Sequence, residues 1–146
     1  MRFLKVIDST KWSLIAALEE VDGKESCPLL DDFDRLEAEG GFGSSIDGML
    51  VLMDHVADVG PMTLPDKLCH EVNKDPTIFQ FIKGRLRVLW FYGADNKVVV
   101  CFHCFVKKDQ KTPKPEIHKC IGIRERYLSA HADRNIEILE ELEGIS

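Results

Sequence analysis

Four lysines, Lys107, Lys108, Lys111 and Lys114, directly follow the apolar run Val98 to Val106, and two arginines, Arg85 and Arg87, stand at the start of the preceding apolar run. A run rich in Val and Phe must bury at least one face, whereas adjacent ammonium groups cannot be buried unpaired, so the lysines belong at a rim where the strand leaves the core. Cations gathered in this way can hold phosphates on either side of a scissile bond and stabilise the negative charge that develops there. The same arginines could instead pair with acidic residues of flanking helices.

The charge distribution supports a phosphate-facing patch despite a net charge of −6. Residues 82 to 127 hold 11 Lys/Arg against 4 Asp/Glu, while residues 1 to 81 hold 7 against 16 and residues 128 to 146 hold 1 against 5. A basic block of this kind is an electrostatic footprint for nucleic acid, and its acidic flanks are either solvated faces or a shield over it.

Other chemistries are poorly supplied. Cys101, His103, Cys104, His118 and Cys120 are soft ligands, but on a regular strand Cys101 and Cys104 point to opposite faces, and zinc sites place such a pair on a turn. Neither a metal nor another cofactor is expected. No pattern of His with Asp or Asn activates a cysteine nucleophile. The five cysteines are odd in number and lie mostly in apolar runs, which fits buried thiols in a reducing compartment and favours the cytoplasm. Met1 to Ile7 lacks the apolar stretch of a signal peptide, and no run approaches the roughly 20 residues that span a bilayer, so no membrane partner is expected.

The elements that must position the cations follow from periodicity. The 146 residues suit a single α+β domain. Arg2 to Ile7 reads as a strand, and Ser9-Thr10 as caps of a helix carrying Trp12, Ile15 and Leu18. Leu29, Leu30, Phe33 and Leu36 recur at helical spacing before Gly40-Gly41, and Ile46, Met49, Leu50, Met53, Val56 and Ala57 form a second apolar stripe ending at Gly60-Pro61. A short helical turn is expected through Leu68 and Val72. Strands Thr77 to Ile82, Arg85 to Tyr92 and Lys97 to Val106 then form an antiparallel meander that the N-terminal strand can join. If Gly93 to Asn96 closes a hairpin with Tyr92 opposite Lys97, Arg87 faces Phe102. Arg85, Arg87, Cys104 and Lys108 then share one sheet face, and Trp90, Tyr92, Cys101, His103 and Phe105 the other. Thr112 as N-cap and Pro113 at the first position open a helix through Tyr127 and Leu128. Beyond it, Ile136, Leu139 and Leu142 predict an acidic helical extension at about 129–146.

The pattern Phe105-Val-Lys-Lys-Asp-Gln-Lys-Thr-Pro-Lys-Pro-Glu-Ile117, with Arg87-Val-Leu-Trp-Phe-Tyr before it and Arg-Glu-Arg-Tyr127 after it, resembles the RelE/HigB toxins of type II toxin-antitoxin modules, in their phage-derived, HigB-type branch. The resemblance is close from about Arg85 to Leu128 and looser over residues 1 to 84. It implies a small antiparallel sheet backed by N-terminal and C-terminal helices, and metal-independent cleavage of mRNA, on the ribosome or free. It also implies inhibition of translation and neutralisation by a helix-turn-helix antitoxin. By the same resemblance Arg87, Lys107, Lys108 and Lys111 are catalytic, and Tyr127 or Tyr92 protonates the leaving 5′-oxygen, a role that a lysine or water could also fill; the neighbouring cations Lys83, Arg85 and Lys114 are expected to bind RNA. Where the family often carries Glu-Leu-Arg, this chain has Gln80-Phe81-Ile82. A lysine acting as base on a 2′-hydroxyl requires cationic neighbours that lower its pKa, which the cluster supplies. The alternative is a non-catalytic phage-derived protein of the same fold that binds protein or RNA.

Overall fold

A computed structural model describes residues 1–142. In chain order the elements are β1 (Arg2–Lys5), β2 (Ser13–Ala17), β3 (Glu19–Val21), β4 (Lys24–Ser26), α1 (Pro28–Glu39), α2 (Gly43–Val59), β5 (Cys69–Lys74), β6 (Thr77–Lys83), β7 (Leu86–Tyr92), β8 (Val98–Val106), α3 (Lys114–Ala132) and β9 (Glu137–Leu139). Seven strands form one sheet in the order β5-β6-β7-β8-β2-β1-β9, and β3 pairs with β4 in a separate ribbon. The α+β class is as expected. Pairing is antiparallel except for β2 with β8 and β1 with β9. Among the described residues no helix is long and apolar enough to cross a membrane.

Both faces of the sheet are covered, which strand alternation makes possible. Leu4, Leu14, Val88, Trp90 and Cys101 pack against α1 and α2 on one face. Phe3, Ile15, Leu89, Phe91 and Val100 pack against Cys120, Ile123 and Tyr127 of α3 on the other.

The expected helix over Trp12 to Leu18 is instead the central strand β2. Leu14 to Ala17 are all buried, because β1 and β8 flank the strand edges and helices cover both faces. A continuous Leu/Ile/Ala run satisfies either element, and its sheet neighbours decide. Leu68 and Val72 likewise fail to form a helical turn: Leu68 closes a turn from Pro65, and Val72 lies in the edge strand β5. At the C-terminus α3 ends at Ala132, Arg134 takes a left-handed φ of 55°, and Glu137–Leu139 pairs with β1 as a strand. The expected acidic helix is therefore not formed through Leu142, and its remainder, 143–146, lies outside the described residues. Ile136 and Ile138, with Leu139, serve the far edge of the sheet through an alternating pattern that overlaps the helical one.

The register of β7 with β8 also differs. Tyr92 faces Val99, and Lys97 lies in the loop with φ 58°. A bulge sets Trp90 opposite Cys101 but Val88 opposite Cys104, so Phe102 and His103 together oppose Leu89. Arg87 accordingly faces Phe105 rather than Phe102. The extra residue turns Cys104 to the same side as Cys101, against α1 and α2, and sends Phe105 to the α3 side with Arg87. Neither of the two expected face groupings survives the bulge.

Candidate active site

Between β8 and α3 the chain makes an exposed loop that bears the lysines, and two contacts anchor it. The Lys107 N–H donates to the Arg85 carbonyl at 2.7 Å, extending the β7–β8 ladder to the loop's first residue. The Thr112 hydroxyl donates to Gln80 Oε1 at 2.9 Å. Gln80 is only 1% exposed, set between the Ile and Phe residues of β6, so its amide needs this partner. Thr112 is thereby used as a tether and not as a helix cap: the N-cap position is Pro113, α3 begins at Lys114, and no side chain caps it.

The tethered loop roofs a cleft of about 600 Å³ at the β5 edge of the sheet. Gln80 lies at its base, His70 and Glu71 come from β5, and Lys107, Lys111 and Lys114 enter from the loop and the first turn of α3. One helical turn beyond Lys114, His118 lines the same cleft. Three of the lysines singled out in the sequence are thus brought together. Lys108 is exposed and does not line the cleft.

The remaining expected site residues are dispersed. Arg87 is 8% exposed and turns inward: its Nη1 donates to the carbonyls of Gly84 at 2.7 Å and Leu86 at 2.9 Å, and its Nε has no partner. No described carboxylate pairs with it, and burial lowers its pKa. Ion pairing to the flanking helices, the other reading of the arginines, is absent for Arg85 and Arg87 among the described residues; Arg85 lies 5.3 Å over the Phe42 ring. Lys83 runs along α2, where a Cβ added to Gly48 would come within 2.6 Å of Lys83 Cε. Lys83 and Arg85 therefore face α2, on the side of the sheet away from the cleft. Gly84 lets that hairpin approach α2 closely, with φ 57° and the position of a Cβ 2.5 Å from Ser45 Oγ.

Tyr127 is separated from the lysines by the length of β7. It is 2% exposed, packs edge-on against Phe3 and Phe91, and its oxygen accepts the Ala94 N–H at 3.0 Å. Burial raises its pKa. These contacts make it a core residue supporting the β7–β8 loop, and they correct its expected place beside the lysines. Tyr92 stands at the same distant end of β7, against Trp12.

A histidine–carboxylate bridge that sequence spacing does not disclose crosses β8 near its end. His103 Nδ1 lies 3.4 Å from Asp32 Oδ2 of α1, and its Nε2 contacts Glu116 Oε2 in the first turn of α3. Asp32 also accepts the Cys104 N–H at 3.0 Å, a backbone donor beyond the end of the β2 pairing, and binds Arg35. Burial disfavours the charged imidazole, but Asp32 and Glu116 together outweigh it and raise the His103 pKa. Burial likewise opposes ionisation of Asp32, and hydrogen bonds from His103, the Cys104 N–H and Arg35 outweigh it, lowering its pKa. The bridge joins the two ends of the segment that contains the lysine loop. All five cysteines are buried, and burial pushes Cys104 and Cys120 up to about 12, so both are neutral thiols near neutral pH.

An antiparallel meander with a cation-bearing loop leading into a covering helix defines a small α+β protein with a basic cleft at the β5 edge of its sheet. Residues 30–125 match the family described as Phage derived protein Gp49-like, and because the match spans more than half of the chain, the protein belongs to that family. It is a RelE/HigB-like toxin family. The matched region runs from α1 into α3 and contains the whole lysine loop. No curated protein matches the chain.

Proposed function

We propose that this protein is the toxin of a type II toxin-antitoxin pair, of the HigB type, and that it inhibits translation by cleaving mRNA without a metal. The observation that carries this reading is the convergence of Lys107, Lys111 and Lys114 on one cleft beside a buried amide, in a member of a toxin family. Three ammonium groups there would clamp successive phosphates and stabilise a phosphorane. The buried guanidinium of Arg87, held by the Gly84 and Leu86 carbonyls with no described carboxylate beside it, adds positive potential to this end of the sheet. The substrate is mRNA engaged on the ribosome, the partner that silences the activity is a helix-turn-helix antitoxin, and both place the protein in the cytoplasm.

The strand β9 lies at the opposite edge of the sheet from the cleft, so residues up to Leu142 leave the basic surface open to RNA. Induced expression of the protein in bacteria should halt growth and yield transcripts cut within codons. Expression of the Lys107→Ala, Lys111→Ala, Lys114→Ala variant at equal level should do neither. Normal growth with intact transcripts under wild-type induction would reject the reading.

A second reading is favoured by one observation. Ile82 neighbours Arg87 across the ladder, where the family often has an arginine, and Arg87 itself is committed to carbonyl oxygens. A cleft that lacks an arginine and uses its lysines only as phosphate clamps would bind RNA without cutting it, giving strongly salt-dependent affinity with intact substrate.

A further inference from the structure

We infer that His70 and His118 are the general base and general acid of RNA cleavage in the lysine cleft, an assignment that rests on the nuclease reading above. The two imidazoles come from different walls, His70 from the edge strand β5 and His118 from α3, and the lysines enter the same cavity from the loop and helix start. Displacement at phosphorus by an adjacent 2′-hydroxyl passes through in-line geometry, with the attacking and leaving oxygens on opposite sides. A base and an acid on separate walls match that requirement.

The hydrogen bonding of His70 sets its tautomer. Its Nδ1 lies 3.0 Å from the Asp66 carbonyl oxygen, which can only accept, so Nδ1 carries the hydrogen. In that tautomer Nε2 is the acceptor nitrogen, the atom a base uses. His118 follows Lys114 at i+4 on α3 and lines the cleft with it. No described residue accepts a hydrogen bond from the His118 ring, and both of its nitrogens are left for a ligand. The charged groups facing the pair are Glu71, Lys107, Lys111 and Lys114. Imidazole is suited to both roles near neutral pH, which leaves the ammonium groups as phosphate clamps. The displaced Tyr127 leaves the acid role to be filled from within the cleft.

The step balances. The 2′-O–H proton passes to His70 Nε2 as the 2′-oxygen bonds to phosphorus. The bond from phosphorus to the 5′-oxygen breaks, and the His118 imidazolium delivers a proton to that oxygen. The products are a 2′,3′-cyclic phosphate and a 5′-hydroxyl, and exchange with water restores both rings.

The test uses the full chain and mRNA on programmed ribosomes, with either the natural linkage or a bridging 5′-sulfur at the cleaved position. A thiolate leaves without an acid. On the natural linkage His70→Asn, which keeps a donor for the Asp66 carbonyl, and His118→Gln should each cleave about 100-fold more slowly than wild type, with unchanged melting and RNA affinity. On the sulfur linkage His118→Gln should recover to within about tenfold of wild type, while His70→Asn should not. Wild-type rates for either variant on the natural linkage, or equal recovery of both on sulfur, would overturn the assignment while leaving the nuclease reading intact. Failure of wild type to cut either substrate would overturn both.

Discussion

The Thr112 hydroxyl and the buried Gln80 amide meet at 2.9 Å, and this bond ties the lysine loop to the interior of the sheet. Thr112→Val removes the donor while preserving shape and leaves Gln80 Oε1 buried without a partner, at a cost of about 1–3 kcal/mol. Urea unfolding should show this loss. Gln80→Leu with Thr112→Val, which removes both polar groups, should restore much of the stability but leave the loop untethered. RNA binding should then remain weaker than wild type in the double variant.

The His103 bridge makes stability depend on pH with a definite sign. The folded-state pKa of His103 is raised, so its contribution is fully present below the ordinary histidine value of about 6.5 and is lost as pH rises through the folded value. Asp32 has the opposite sense: its contribution is present above the ordinary carboxylate value of about 3.9 and is lost as pH falls through its lowered folded value. Between these limits both contribute. Glu116 and Asp32 face the ring directly, Arg35 faces Asp32 and Lys119 faces Glu116. Wild-type stability should decline from neutral into alkaline pH, and His103→Gln should flatten that alkaline limb when unfolding midpoints are compared.

The division of cations by sheet face predicts which of them RNA senses. Lys107, Lys111 and Lys114 line the cleft, whereas Lys83 and Arg85 lie against α2 and Phe42. For single-stranded RNA each lost phosphate contact should reduce the slope of log affinity against log salt by about 0.7. The triple lysine variant should therefore lose about 2 from the slope. Lys83→Ala with Arg85→Ala should leave the slope unchanged, as measured by fluorescence anisotropy across a salt series.

Much of the fold was legible where local pattern and tertiary demand agree. The β-branched and aromatic runs of β6, β7 and β8, the stripes of α1 and α2, and the lysines at a strand end all appear as expected. The failures share a physical cause, a long-range partner that overrides local pattern. Leu14 to Ala17 pack as a strand because β1 and β8 flank them, and the β7–β8 register is set by a bulge that no residue type announces. Thr112 has an N-cap signature but finds Gln80, 32 residues away. Tyr127 belongs to the same helix that opens on Lys114, yet helical geometry carries it to the far end of β7. His70 and His118 line one cleft only because the fold brings the edge strand β5 and the start of α3 to its two sides, and Asp32 reaches His103 only across the fold. No spacing rule links such residues.

The central claim is that the cleft holding Lys107, Lys111 and Lys114 cuts RNA. Its most direct test is incubation of purified wild-type protein with translating ribosomes in chelator, followed by mapping of mRNA ends against the triple lysine variant. The account predicts discrete cleavage with 2′,3′-cyclic phosphate and 5′-hydroxyl ends, lost by at least about 100-fold in the variant while its melting temperature is kept. Intact mRNA with wild-type protein, or equal cleavage by the folded variant, would contradict it.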